Sequence, residues 1–144
     1  MYTEMITVKI DGTDVTVPKG TTILEAARKI GVKIPTLCNH PDLRPKSSCR
    51  MCVVEDTKNK RLQASCSQTV EHIRGEILTS SQKVRSVRRT VLQLILADHP
   101  QDCLSCIRNT RCELQKLAID ENIFENPFEN IHKRVEIKDD NPSL

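Results

Sequence analysis

Ser48-Cys49-Arg50-Met51-Cys52-Val53-Val54-Glu55 is the stretch on which the reading of this chain turns. Two cysteines separated by two residues can reach one metal centre from a tight turn. The residues from Met51 to Glu55 then read as a short strand, rich in the β-branched and apolar side chains that suit a pleated surface. Arg61 to Ser65 repeats that character across a polar turn at Thr57 to Lys60, which suggests a second short strand. Cys66 closes the second strand, and Cys38 stands upstream in a segment, 35–50, that reads as a long irregular loop with Pro35, Pro41 and Pro45. Such a loop is uncommon in a compact domain unless it has a function.

Cys38, Cys49, Cys52 and Cys66 thus form one set, with gaps of ten, two and thirteen residues. Thiolate sulfur is soft and suits zinc, copper(I) or iron–sulfur clusters. Plant-type [2Fe–2S] ferredoxins show gaps of four and then two before a distant fourth cysteine, so the match to that spacing is partial. A zinc ribbon would place its ligands in two close pairs, whereas Cys38 and Cys66 stand singly. The spacing favours a two-iron cluster and leaves zinc as the rival. His40, two residues from Cys38, reads as a hydrogen-bonding loop residue, since four thiols already suffice.

His99, Cys103, Cys106 and Cys112 form a second set, with gaps of three, two and five. Three thiolates fall one short of a tetrahedral site. His99 precedes Cys103 by one helical turn at a helix end, from which its imidazole can face the same pocket. Asp98, Asp102, His72, His132 or a ligand from outside the chain are the rivals for that position. Zinc would also accept three Cys and one His.

Around these sets the chain has the makings of an α+β protein. Ile6, Val8 and Ile10 alternate with polar residues, Asp11-Gly12 makes a turn, and Val15 and Val17 alternate again, which is a hairpin signal. Thr22 and Glu25 form a capping box for a helix through Leu24, Ala27 and Ile30, stopped by Gly31. Gly75 to Thr79 suggests a further strand. Val84, Val87, Val91, Leu94 and Ile95 then fall at helical spacing, capped by Ser80 or Ser81 and ended by Asp98-His99-Pro100. Lys83, Arg85, Arg88 and Arg89 lie mostly off that stripe, as a solvated face or a contact for an acidic partner. Cys112 to Ile119 reads as a second short helix. The expected division is residues 1–80 as the first domain, 81–120 as a helical module and 121–144 as an extended tail or linker.

Composition narrows the class. The 144 residues include no Trp, one Tyr and two Phe, so an ordinary aromatic-rich core is excluded and another staple is needed. Seven cysteines are an odd number, so disulfides alone would leave one thiol over. No apolar run reaches the ~18 residues of a membrane span, and Met1-Tyr2-Thr3-Glu4 lacks a signal-peptide core, so the expected setting is cytoplasmic, with reduced thiols. The formal charge of +3 counts every cysteine as neutral. Cluster thiolates bring that sum near zero, so the basic excess calls for no nucleic acid. No Gly-rich phosphate loop, nucleophile elbow or catalytic carboxylate pair is evident.

Taken together, Cys38-Asn39-His40-Pro41, Ser48 to Glu55 and Ala64-Ser65-Cys66 resemble the [2Fe–2S] domain at the start of the catalytic subunit of multi-subunit [FeFe]-hydrogenases. A related domain begins the large iron–sulfur subunit of respiratory complex I. His99-Pro100-Gln101-Asp102-Cys103-Leu104-Ser105-Cys106, with Arg108-Asn109 and Cys112-Glu113-Leu114-Gln115, resembles the His-ligated [4Fe–4S] module that follows it. Glu136 to Ser143 resembles the linker beyond.

The resemblance implies a ferredoxin-like β-grasp first domain, all eight residues as ligands and an electron-relay role. As partners it implies other redox subunits: a flavin-bearing NAD(P)H-oxidising subunit, a hydrogenase or formate dehydrogenase catalytic module, or a ferredoxin. Family members continue into further four-cysteine runs, whereas no cysteine follows Cys112 here. The expectation is therefore an excised N-terminal piece or a stand-alone electron-transfer subunit, with no catalytic activity assigned to these residues. The competing class is a zinc-stapled protein- or nucleic-acid-interaction module without redox activity.

Overall fold

The computed structural model describes residues 4–100 and 102–128. Met5–Ile10 (β1) and Thr13–Pro18 (β2) form an antiparallel hairpin, with Met5 opposite Pro18 and Ile10 opposite Thr13. Its turn is Asp11-Gly12, at φ 45° and 82°, the positive values a two-residue hairpin turn demands. Thr22 caps the helix Ile23–Lys29 (α1) as the sequence foretold: its hydroxyl accepts from the Glu25 N–H, and the Glu25 carboxylate accepts from the Thr22 N–H.

Val53–Asp56 (β3) and Arg61–Ala64 (β4) form a second antiparallel hairpin, and Ile77–Leu78 (β5) completes the sheet. The strand expected from Met51 starts at Val53, because Met51 and Cys52 belong to the turn that carries the thiols. A 3-10 turn at Val70–His72 had no sequence signal. The strand order is β2-β1-β5-β3-β4, with β5 parallel to β1 and antiparallel to β3. Val8, Ile10, Val15 and Val17 of the hairpin, Ile23 and Ala27 of α1, and Ile77 share one buried core with Cys52 and Cys66. A helix packed on a five-stranded mixed sheet with this order is an α+β, ferredoxin-like β-grasp.

Ser81 caps the long helix Gln82–Ala97 (α2), and Cys112 precedes the short helix Glu113–Asp120 (α3). The α2 stripe differs from the one its sequence suggests. Val84, Arg88 and Leu92 are its buried residues, at i, i+4 and i+8, while Leu94 is 51% exposed. The cause is tertiary: β3 offers Arg88 a carbonyl acceptor, so the cationic side chain lies inward.

The junction into α2 is tied to the sheet at several points. Asp11 accepts from the Thr79 backbone N–H at 2.8 Å and from the Thr79 hydroxyl. Glu55 accepts from the Ser81 hydroxyl at 2.5 Å. Residues at the start of the expected tail also dock on α2: Ile123 is buried, Asn126 Nδ2 donates to the Gln93 carbonyl at 2.9 Å, and Arg89 donates to the Glu121 carbonyl at 2.9 Å. Glu136 to Ser143 lie outside the described residues. Among the described residues no helix is long and apolar enough to cross a membrane.

A second, smaller core joins the two halves. Met51, Leu92 and Ile123 are buried together, with Leu37, Leu114 and Leu117 packed against them. Met51 sits between Cys49 and Cys52, so the turn carrying two thiols is wedged onto α2 and α3. Truncating a fully buried Met costs about 2–5 kcal/mol. Met51→Ala is expected to lower the stability of the cluster-loaded chain by that amount in urea unfolding. A loss below about 1 kcal/mol would show that this core is not tightly packed.

Candidate metal centres

The first set assembles where the long loop meets the sheet. Cys52 and Cys66 are 1% and 2% exposed, while Cys38 and Cys49 are half-buried. Helix α1 is fastened to the Cys66 segment by backbone bonds: the Leu24 N–H donates to the Ser65 carbonyl at 3.0 Å, and the Ile23 N–H to the Gln68 carbonyl at 2.9 Å. The Ser65 N–H donates in turn to the Cys52 carbonyl at 3.1 Å, which ties the two buried thiols' segments together. Arg50, between Cys49 and Cys52, is at φ 57°, a left-handed turn residue.

The thiols stand as two neighbouring pairs, Cys38 with Cys49 and Cys52 with Cys66. Burial acts to raise the Cys38 thiol, but hydrogen bonds from the Cys49 backbone and side chain and from Ser48 outweigh it and bring Cys38 down to about 7. Burial, with the Cys66 thiol alongside, pushes Cys52 up to about 11 against the pull of the Cys66 backbone N–H. Ser47 Oγ lies 3.4 Å from Cys66 Sγ and also bonds Ser67 Oγ, which links the loop to the second pair.

The Ser65 hydroxyl is buried beside the Cys52 thiol, which it acts to lower. A buried hydroxyl in that position can donate to a ligand thiolate or to an inorganic sulfide. The residues therefore fit a two-iron cluster, in which each iron takes two protein ligands. His40 is exposed, and its Nδ1 accepts from the Asp42 N–H at 3.3 Å, the loop role expected of it.

The second set lines one cavity of about 140 Å³, where His99, Cys103, Cys106 and Cys112 meet Pro100, Asp102, Asn109 and Gln115. A chain of tight turns brings them round: the Cys106 N–H donates to the Cys103 carbonyl, Asn109 to Cys106, and Arg111 to Arg108. Gln115 holds the loop from α3, accepting from the Thr110 N–H at 3.1 Å and donating to Asn109 Oδ1 at 3.2 Å. Neither Gln115 nor Asn109 had been given a role on sequence grounds, since a side chain bridging two points of a loop leaves no periodic signal.

Among the described rivals to His99, only Asp102 lines the cavity, and its carboxylate accepts from the Ser105 hydroxyl. His72 lies instead in a groove on the sheet with Lys58 and Arg74, and His132 is outside the described residues. Among the described residues, no three His, Cys, Asp or Glu converge tightly enough to hold a single ion.

Comparison with known proteins accords with these sites. Residues 3–73 match the family described as 2Fe-2S iron-sulfur cluster binding domain, and residues 88–127 the NADH-ubiquinone oxidoreductase-G iron-sulfur binding region. The chain thus carries these two iron–sulfur domains one after the other. Its cofactors are a [2Fe–2S] and a [4Fe–4S] cluster, and it is an electron-transfer module.

Among the relatives of this iron–sulfur module, the NADP-reducing hydrogenase subunit HndD of Solidesulfovibrio fructosivorans is 44% identical over 131 residues, covering 87% of this chain and 22% of that protein. The NADH-ubiquinone oxidoreductase 75 kDa subunit of Reclinomonas americana is 36% identical over 138 residues, covering 96% and 20%. The chain thus spans about a fifth of these relatives' length. A crystal structure of NAD+-reducing [NiFe]-hydrogenase in the H2-reduced state matches with a TM-score of 0.79 and 34% identity, over 90% of this chain and 54% of that one.

Hydrogen bonds to cluster sulfurs raise the potential, because they stabilise the added negative charge of the reduced state. Ser47→Ala removes the bond at Cys66. At about 0.5–1.5 kcal/mol for the bond, a one-electron midpoint should fall by roughly 20–60 mV, measured by EPR-monitored titration of the two-iron signal. An unmoved midpoint would place the Ser47 hydroxyl outside the cluster's hydrogen-bond shell.

Proposed function

We propose that Cys38, Cys49, Cys52 and Cys66 ligate the [2Fe–2S] cluster and that His99, Cys103, Cys106 and Cys112 ligate the [4Fe–4S] cluster. What supports the first assignment is that groups of Cys49 and Ser48 bear on the Cys38 thiol, groups of Cys66 bear on the Cys52 thiol, and Ser47 joins the loop to Cys66; on this reading Cys38 and Cys49 serve one iron, Cys52 and Cys66 the other. The common cavity of the second set supports the other assignment. When bound, the clusters accept and donate single electrons.

The chain's own contribution is positional and electrostatic. It buries Cys52 and Cys66 against the sheet core, aims backbone and Ser donors at the first set, and keeps the second at the end of α2. Met51 packs with Leu92 of α2 and Leu114 and Leu117 of α3, which ties the turn of the first set to the two helices that flank the second and favours a fixed separation. A fixed separation suits passage of an electron from one site to the other. The first domain (1–80) and the helical module (81–120) are the two functional units, with residues 121–144 leading away.

By likeness to the hydrogenase and NADH dehydrogenase subunits, the partners are other redox subunits. They are a flavin-bearing NAD(P)H-oxidising subunit, a hydrogenase or formate dehydrogenase catalytic module, or a ferredoxin. The setting is cytoplasmic, where the thiols remain reduced and available to iron.

Anaerobic reconstitution of the chain should give about six iron and six sulfide per molecule, the sum of the two clusters, with two distinct paramagnetic signals after dithionite. Cys66→Ala should abolish the first signal and spare the second. Colourless protein holding zinc in place of iron would overturn the reading. Neutral His99 removes a negative charge from the four-iron site relative to a four-thiolate one, so His99→Cys is expected to lower that site's midpoint. Retention of the wild-type midpoint with the cluster assembled would rule out His99 as a ligand.

A further inference from the structure

Arg88 is the one cation of α2 that the fold takes inside. It is 5% exposed, on the buried stripe between Val84 and Leu92. Its Nη2 donates at 2.6 Å to the carbonyl of Val53, the residue after Cys52. Its Nε–H is buried and finds no acceptor within the protein. The other basic side chains of the helix meet exposed or half-exposed groups: Lys83 the Lys60 carbonyl, Arg85 the Ser80 carbonyl, Arg89 the Glu121 carbonyl.

A buried guanidinium is expensive, and burial is the main influence on its proton affinity, which it lowers. The acidic groups that act on it are, largest first, Glu121, Cys52 and Asp11, and Arg88 also borders a cavity that Glu113, Asp120 and Glu121 of the α3 segment line. Asp11 is already occupied by Thr79, and Glu121 sits at the half-exposed end of α3, where solvent weakens its hold. Removing one partner from a buried charge pair is costly, so a buried cation needs a compensating anion close by. Cys52 as a ligand brings one: it carries the negative charge of an iron-bound thiolate beside a cluster that is itself anionic.

We propose that Arg88 is the charge-balancing residue of the [2Fe–2S] site, holding that site's midpoint potential up. This rests on the reading of Cys52 as a ligand. Reduction adds one negative charge to the site, and a fixed cation nearby stabilises the reduced form more than the oxidised form. Because the guanidinium is buried, salt screens this effect little. Arg88 acts on the site through its charge, as a tuning residue. Its hydrogen bond to Val53 also places it on the strand that leads out of the ligand turn.

The test is potentiometry on the cluster-loaded full chain, with Arg88→Lys, Arg88→Gln and Arg88→Met. The two-iron EPR signal reports loading and midpoint in one experiment. The expected order is a midpoint near wild type for Arg88→Lys and a lower one for Arg88→Gln and Arg88→Met, with the gap persisting at high salt. Should Arg88→Met fail to fold, the Lys and Gln variants carry the comparison, since both are polar and only one is charged. Equal midpoints for the Lys and Gln variants would overturn the proposal, as the shift would then follow packing or hydrogen bonding and not charge. A wild-type chain that takes up no two-iron cluster would instead overturn the ligand assignment on which it rests. A four-iron midpoint that moves as far as the two-iron one would also count against Arg88, because the influence would then not be local to Cys52.

Discussion

Gathering four thiols where a loop meets an apolar core sets the terms for the rest of this molecule. Cys52 and Cys66 are members of the sheet core, in company with Ile10, Ile23 and Val54. Negative charge in such surroundings must be met by donors and cations or it will not form. The chain supplies those donors from segments remote in sequence: Ser48 from the loop, backbone N–H groups at Cys49 and Cys66, and the buried hydroxyl of Ser65, while Ser47 lies against Cys66. Helix α1 matters here chiefly because its first turn holds the 65–69 segment in place through hydrogen bonds to Ser65 and Gln68.

The same constraint explains why the second module is not a loose appendage. A chain with three aromatic residues in all cannot stabilise two independent cores of ordinary size. Met51 and Leu37 from the ligand loop instead share a core with Leu92, Leu114, Leu117 and Ile123. Asp11 and Glu55 of the sheet accept hydrogen bonds from Thr79 and Ser81 just before α2 begins. These contacts fix the direction in which the helix leaves the sheet, and so fix where its far end presents His99. Rigidity between two redox sites is thus a by-product of how a small, aromatic-poor chain must pack.

The two sites differ in their surroundings. The first is walled by the sheet core, whereas the second is a ring of turns with Cys103 and Cys106 exposed and Leu104 and Ile107 almost wholly so. Its loop is held by side-chain bridges, Gln115 to Thr110 and Asn109, more than by apolar packing. An exposed site is open to exchange of electrons with whatever lies against it, while a buried one is better insulated and more strongly tuned by nearby fixed charge.

Local chemistry was legible in the sequence: the Asp-Gly hairpin turn, the Thr22–Glu25 capping box and the stop before Pro100. Each depends on residues within a few positions of one another, where backbone geometry leaves few choices. The pairing of Cys38 with Cys49 and Cys52 with Cys66, the insertion of Met51 between the modules and the docking of Ile123 on α2 were decided by tertiary structure. So was the inward turn of Arg88, which helical periodicity had set apart from the apolar stripe because charge alone argued for solvent. The Val53 carbonyl that takes it in lies 35 residues away along the chain, and spacing along a sequence does not say which distant groups will be brought face to face.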